Sequence, residues 1–165
     1  MTNGTPKSVN PARLIMPALR SDALSGFAHE ASIEIAVPAE AAFAYIADGM
    51  KQGEWALGSW NRRPAADGSF VGTSLFDGSE LSIRLTAHPE LMLVVYDTGG
   101  SADDLRPMVW GRVVPGPVLG LADGHCVVTF TIWRGASMDA ATWELMSHTF
   151  PTELRMIKGR LELGF

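Results

Sequence analysis

The first candidate for chemistry in this sequence is an arginine that follows a tryptophan by two residues. Trp110 and Arg112 therefore share one face of a predicted strand, and Val109 and Val113 share the other. If the arginine face points inward, the guanidinium could bind a carboxylate or polarise a ketone, because it is always charged and can donate two parallel hydrogen bonds to a pair of oxygens. If it points outward, Arg112 and Arg84 lie on a solvated face; this orientation is favoured, because burying an unpaired charge is costly.

The predicted C-terminal helix carries polar residues on one stripe. Leu145, His148, Thr149 and Thr152 recur at three- and four-residue steps, which places them on one face. Small-molecule pockets are mostly apolar with a few placed polar groups, and His148 and Thr149 could supply these groups. The alternative is a partly exposed His148 whose ring bonds to solvent or backbone.

A histidine and a glutamate four residues apart could also share a metal ion or relay a proton. Glu144 and His148 have this spacing. A metal site needs three or more protein ligands, and neither His88 nor His125 has a reason to converge there. We therefore expect a surface pair, with no metal.

Tryptophans are frequent for a chain of this size, with five in 165 residues. Trp55 and Trp60 fall in an irregular segment between glycines, where each could stack on a flat ligand or plug the core. The predicted ligand-contacting residues are Trp55, Trp60, Trp110, Leu145, His148, Thr149 and Thr152, and the candidates for catalysis are His148 and Arg112.

The elements that must position these residues begin with a strand. Apolar and polar residues alternate over 29–37, the period of a half-buried strand, and Pro38 then opens a helix that Gly49 ends. The segment 50–64 predicts one helical turn followed by a short strand.

Five further strands are expected at spacings of about ten residues. They are predicted at 69–76, 81–87, 91–97, 105–114 and 125–134, with Asp77-Gly78 as the strongest hairpin signal. In the last strand, Cys126, Val128, Phe130 and Ile132 share the face that we expect to point at the core.

A helix of about 25 residues closes the chain at Leu163. Ser137 is the expected N-cap, with Asp139 in the first turn. Pro151 lies inside the helix and predicts a kink near Ser147 and His148, because proline lacks the N–H that would bond to the preceding turn.

Composition limits the classes of protein. The chain is 47% hydrophobic and 19% charged, which suits one packed core. We expect a leader over 1–28, partly disordered or loosely docked, and one ligand-binding domain over 29–165. A net charge of -5 argues against nucleic acid as a partner, and one cysteine excludes a disulfide scaffold. The glycine signatures of nucleotide sites are missing, so no cofactor is expected.

The apolar runs and the N-terminus of the chain predict its location in the cell and its assembly. The longest aliphatic run covers only 91–95, far short of the roughly 20 residues that span a bilayer, so no membrane insertion is expected. A polar N-terminus without a secretory pattern predicts a cytoplasmic protein. The patch Leu14-Ile15-Met16 and the two-sided apolar strand at 91–96 suggest a homodimer.

The order of elements, the entry Pro-Ala-Glu-Ala-Ala-Phe-x-Tyr-Ile after strand one, the Trp-rich segment and the long last helix resemble the START-like helix-grip (SRPBCC) superfamily. This superfamily includes polyketide cyclase/dehydrase and lipid-transport members. The resemblance covers about residues 29–163. It implies an α+β fold, with a curved antiparallel sheet of six to seven strands around the last helix and two short helices after strand one.

The resemblance implies a hydrophobic cavity between sheet and helix. The first hypothesis is therefore a protein that binds a lipid, a polyketide or an aromatic metabolite there. The second is a cyclase or dehydratase in which Arg112 or His148 assists enolisation or proton transfer. The third is an interaction module with a closed core. Because one scaffold carries many functions, the fold alone does not choose among them.

Overall fold

Residues 26–164, which the computed structural model describes, form one antiparallel sheet and two α-helices. The strands are β1 (Ala28–Ile35), β2 (Trp60–Pro64), β3 (Phe70–Thr73), β4 (Glu80–His88), β5 (Leu93–Gly99), β6 (Arg106–Pro115) and β7 (Cys126–Trp133). The helices are α1 (Ala39–Ile46) and α2 (Ala140–Leu163). The proposed leader over 1–28, including Leu14-Ile15-Met16, lies almost wholly outside the described residues.

The sheet order is β1-β7-β6-β5-β4-β3-β2, with every neighbouring pair antiparallel. The sheet is curved; α2 packs against β1, and α1 packs against β6 and β7. This architecture confirms the predicted α+β helix-grip fold. One α-helix follows strand one, and two 3-10 turns, Lys51–Glu54 and Leu57–Ser59, take the place of a second helix.

The alternation in β7 positions the core as predicted. Cys126, Val128, Phe130 and Ile132 are all buried, because successive side chains of a strand point to opposite faces and this set faces α1 and α2. Burial also raises the pKa of the Cys126 thiol. The core therefore lies between the inner face of the sheet and the two helices.

Several predicted boundaries shift for local reasons. β5 begins at Leu93 and not at 91, because Pro89–Leu91 forms a 3-10 turn and Met92 has a positive φ of 48°. Asp139 caps α2 in place of Ser137: its carboxylate accepts the main-chain N–H of Thr142 at 2.8 Å.

α2 runs continuously through Pro151, and the kink that this residue predicts remains a prediction. The residues of α2 that are buried in the fold are Trp143, Ser147, Phe150, Glu153, Leu154 and Ile157. Within residues 26–164, no helix has both the length and the apolar character needed to cross a bilayer.

Candidate ligand-binding cavity

A cavity of about 880 Å³ lies between the inner face of the sheet and α2. Rings line much of it: the Phe130 ring contacts Trp55 at a centroid distance of 5.3 Å and Phe150 at 6.4 Å. Further apolar wall comes from Ala56, Leu81, Val109 and Met146. The volume falls in the range of pockets that enclose a small organic molecule.

The exposed lining residues mark the mouth of this cavity. They come from the turn between β3 and β4, the loop between β5 and β6, and the segment 135–138 before α2. Phe76 and Leu145, 39% and 42% exposed, lie on this rim. A ligand would therefore enter past apolar side chains.

An irregularity in β6 adds to the wall. Tyr96 pairs with Val109 and Asp97 with Pro107, so Met108 has no partner across β5. Such a bulge re-aims side chains. As a result, Met108 and Val109 both line the cavity although they are adjacent in sequence.

The buried end of the cavity is polar and centres on Arg62. Its Nε donates to the carbonyl of Ser59 at 3.2 Å, its Nη2 donates to Ser59 Oγ at 2.6 Å, and its Nη1 donates to Gln52 Oε1. Desolvation lowers the pKa of Arg62 to about 10, and attraction to Tyr96 and Glu153 opposes this shift. Arg62 nonetheless carries a full positive charge at neutral pH.

A break in the alternation of β2 turns Arg62 inward. Asn61 has a positive φ of 49°, and the pairing of β2 with β3 shifts between Trp60 and Arg63. Asparagine tolerates this left-handed conformation better than most residues. Arg63 points outward instead and pairs with Glu80 at 2.8 Å.

Glu153 on α2 contributes a carboxylate to the same end. Its Oε1 accepts the main-chain N–H of Leu57 at 2.7 Å, and the N–H of Gly58 also bonds to this carboxylate. Burial raises the pKa of Glu153 to about 7, although those two hydrogen bonds and the charge of Arg62 act in the opposite direction. Glu153 is therefore poised to gain or lose a proton near neutral pH.

Two aromatic residues complete the polar end in different ways. Tyr96 is fully buried, donates its hydroxyl to the carbonyl of Ile46 at 2.7 Å, and has its pKa raised by burial. Trp55 is also buried, and its Nε1–H has no acceptor among the described residues. The Trp55 side chain therefore lines the cavity while its Nε1–H is buried and unpaired among the described residues.

Of the seven predicted ligand contacts, the structure places Trp55 and Leu145 in the cavity lining. Trp60 is half-buried in β2 and is not part of that lining. Arg62, two residues further along β2, lines the cavity instead.

Trp110 and Arg112 lie on the outer face of the sheet, which corrects the placement of Trp110 in the cavity. Gly111 and Val113 are buried, so strand alternation directs Trp110 and Arg112 outward. There they line a shallow groove of about 420 Å³ with Leu93. Arg112 therefore cannot act on a ligand held inside.

The three polar residues predicted on α2 are not part of the cavity lining, which corrects their placement. His148 is exposed and its Nδ1 lies 2.8 Å from the main-chain carbonyl of Glu144, while Thr149 Oγ1 donates to the carbonyl of Met146 at 3.0 Å. Thr152 is exposed. Helix phase explains His148 and Thr152: at about 100° per residue they lie outside the arc that carries Leu145, Phe150 and Glu153. Thr149 falls within that arc, but its hydroxyl bonds back to the main chain of α2.

Sequence reasoning missed Glu153 and Arg62. A signal existed for Glu153, because Thr142, Met146, Phe150 and Glu153 follow one another at helical steps of four, four and three. For Arg62 the signal was Asn61, a residue that tolerates the turn that breaks strand alternation. Across the described chain, no group of three or more His, Cys, Asp or Glu is placed to hold a metal ion.

The sequence matches no known family model and no curated protein at a significant level. Solved structures do share the fold. A START superfamily protein from Mycobacterium smegmatis has a TM-score of 0.57 at 13% identity, with 85% of this chain and all of that chain covered.

The Zhui aromatase/cyclase from Streptomyces sp. R1128 has a TM-score of 0.56 at 14% identity, with 82% of this chain and 93% of that chain covered. Aha1 from Colwellia psychrerythraea, whose structure is a dimer, has a TM-score of 0.60 at 13% identity, with coverages of 83% and 97%. At these identities the likeness establishes the fold, which is START-like, as the sequence pattern predicted.

Proposed function

We propose that the protein binds a small hydrophobic molecule, such as a lipid, a polyketide or an aromatic metabolite, in the cavity between the sheet and α2. The observation that carries this proposal is an interior of about 880 Å³ with apolar walls and one buried polar end. Similarity in fold to a START protein and to an aromatase/cyclase supports it. The interaction-module alternative needs a closed core, and a cavity of this size argues against it.

Apolar burial alone accounts for useful affinity. A ligand that removes on the order of 300 Å² of apolar surface from water gains roughly 7 kcal/mol at about 25 cal/mol per Å², before ordering costs. This corresponds to binding in the micromolar range. No catalytic group is needed for it.

Native mass spectrometry of the purified protein, followed by solvent extraction, tests the proposal directly. We expect a stoichiometric apolar adduct or, for an empty protein, a thermal shift with hydrophobic probes. If the protein shows no adduct and no thermal shift with any probe, the ligand-binding cavity is contradicted.

A matched pair of substitutions locates the binding. Val109→Phe fills the cavity, so we expect it to abolish probe binding while the protein stays folded. Val114→Phe adds the same ring in the outer groove and should leave binding unchanged. Equal binding by both variants would place the ligand elsewhere.

The alternative function is a cyclase or dehydratase, and one observation favours keeping it. Glu153 and Arg62 lie in the same cavity, and the pKa of Glu153 is about 7, near the value that suits a general acid or base. These two residues replace His148 and Arg112 as the candidates for catalysis. Arg62 would polarise a ketone oxygen while Glu153 moves the adjacent proton.

Turnover of a poly-β-ketone thioester mimic tests this alternative. We expect Arg62→Gln and Glu153→Gln each to lower product formation by about 100-fold or more. His148→Ala and Arg112→Ala should have no effect. Formation of the same products at the same rate without protein would exclude the enzyme.

Location and assembly stay as predictions of the proposal. A cytoplasmic location is tested by fractionation of cells that express the full chain. A homodimer is supported by the dimeric Aha1 of similar fold and by exposed apolar side chains along the outer groove.

A further inference from the structure

The polar end of the cavity offers more donors than acceptors. A guanidinium has five N–H groups, and Arg62 uses three of them on the neutral oxygens of Gln52 and Ser59. Two N–H groups of Arg62 therefore remain without a protein acceptor. Arg62, Gln52 and Ser59 all line the cavity.

The buried positive charge of Arg62 also favours an anionic ligand. Arg62 is buried, and its hydrogen bonds go only to neutral groups. The nearby carboxylate of Glu153 is held by the main-chain N–H groups of Leu57 and Gly58. A buried cation with neutral partners is costly and is stabilised by an anion that reaches it.

We propose that the natural ligand is an amphipathic carboxylic acid whose carboxylate is bound by Arg62 at the buried end, and that Glu153 takes up a proton as this ligand binds. This inference rests on the proposed binding function. It adds a class of ligand and a linkage to pH.

The linkage follows from the charges that face Glu153. Arg62 on β2 is the charged group beside it, and Arg62 in turn interacts with the titratable Tyr96 on β5. The pKa of Tyr96 is raised by burial and that of Arg62 is about 10, so neither changes charge near neutrality. A ligand carboxylate beside Glu153 disfavours a second negative charge and so favours the protonated form of Glu153.

The charged residues at the mouth are Asp77, Asp104 and Arg106, and all three are exposed. Asp104 pairs with Arg106 at 3.1 Å, and hydrogen bonds from Ser79 lower the pKa of Asp77. Both carboxylates face solvent, which screens their effect on an entering anion. The pH dependence of binding therefore reports on Glu153.

Isothermal titration calorimetry with decanoate, decanol and methyl decanoate tests the proposal on the full chain. We expect decanoate to bind more tightly than the two neutral probes, and about tenfold more tightly at about pH 6 than at about pH 8. Titrations in buffers of different ionisation enthalpy should show uptake of about half a proton per decanoate at about pH 7. The neutral probes should show neither effect.

Two variants assign the effects. Arg62→Gln should weaken decanoate binding by about 10- to 100-fold and leave decanol nearly unchanged. Glu153→Gln should abolish proton uptake and the pH dependence. Arg112→Gln on the outer face and Glu144→Gln on the exposed side of α2 are the matched controls and should behave as wild type.

The outcomes separate the two proposals. If all three probes bind equally and without proton uptake, the acid-binding inference is wrong and the hydrophobic cavity stands. If none of them binds and the extract is empty, the binding function fails as well. The wild-type calorimetry decides between these results even if Arg62→Gln does not fold.

Discussion

Glu153 does two things at once in the structure. It holds the main chain of Leu57 and Gly58 against α2, and it contributes a titratable group to the cavity. Burial raises its pKa from the ordinary 4.5 to about 7, so the folded protein binds this proton more tightly than the unfolded chain does. Stability is therefore expected to fall as pH rises between these two values.

The first prediction is that Glu153→Gln flattens this dependence. Wild type should lose stability as the pH rises from 4.5 to about 7. The total loss is on the order of 3 kcal/mol and is reached above about pH 7. The variant stays neutral and keeps an acceptor for the Leu57 N–H, so it should be the more stable protein in mildly alkaline buffer. Urea denaturation across this pH range measures the slope, with Glu144→Gln as control. An unchanged slope in the variant would contradict the role of Glu153.

At the same scale, the sequence identified residue types better than it identified the residues. It named Arg112 and His148 as candidates for catalysis, while favouring an outward Arg112, and the structure places both of them outside the cavity. Strand alternation turns Arg112 outward, and the turn at Asn61 brings Arg62 inward. A single residue with an unusual φ therefore decided which arginine is buried.

The approach of the Leu57–Ser59 turn to β3 depends on a glycine. A Cβ on Gly72 would lie 2.5 Å from the main-chain oxygen of Ser59, closer than atoms can approach. Ser59 supplies two of the acceptors that hold Arg62. The absence of a side chain at Gly72 thus allows the polar end to form.

The second prediction is that Gly72→Ala destabilises the protein by about 1–3 kcal/mol, because the turn must move away from β3. Decanoate binding should weaken in the same variant. Gly159→Ala in α2 meets no atom within 4 Å and should stabilise the protein by about 0.5–1 kcal/mol, since alanine favours helix. Chemical denaturation of both variants measures these changes. A Gly72→Ala protein as stable as wild type would show that the turn has room to adjust.

The long helix shows how far periodicity can predict a face. Its extent and amphipathic character followed from the sequence, and Leu145 does line the cavity. The predicted stripe then continued through His148 and Thr152, whereas the helix presents Phe150 and Glu153. Glu153 is charged, so the apolar periodicity does not mark it as an inward-facing residue. The sequence prediction therefore placed the cavity-facing side of the helix on the neighbouring stripe.

At the scale of the whole molecule, the outer face of the sheet carries a cluster of exposed apolar side chains. Trp110 is 41% exposed and its ring contacts Trp133 at 5.8 Å, with Leu91 and Leu93 beside it in the groove. Exposed apolar patches of this kind often mark interfaces. This is the surface on which a homodimer would form.

The third prediction is that wild type is a dimer and Trp110→Glu a monomer, because the added charge would be desolvated in an interface between two copies. Analytical ultracentrifugation measures the mass of each form. Thr73→Glu, at an exposed position of β3, should leave the assembly as in wild type. A wild-type protein that is monomeric at all concentrations tested would refute the dimer.

The overall architecture could be predicted from the sequence because strand alternation and helix periodicity are local signals. The inward set of β7 and the order of the elements are examples. The cavity and its polar end could not be predicted in the same way. They depend on contacts between segments distant in sequence, such as Leu57 with Glu153, which no local pattern encodes.

The buried thiol of Cys126 gives this molecule a covalent reporter of its own motions. Cys126 is the only cysteine, is fully buried, and pairs with Ile35 of β1 and Pro115 of β6. An alkylating reagent can reach the sulfur only when the strands around it separate, so the rate of modification measures the free energy of that opening. Intact-mass kinetics with and without a ligand would therefore show whether filling the cavity also holds the β1 edge of the sheet closed.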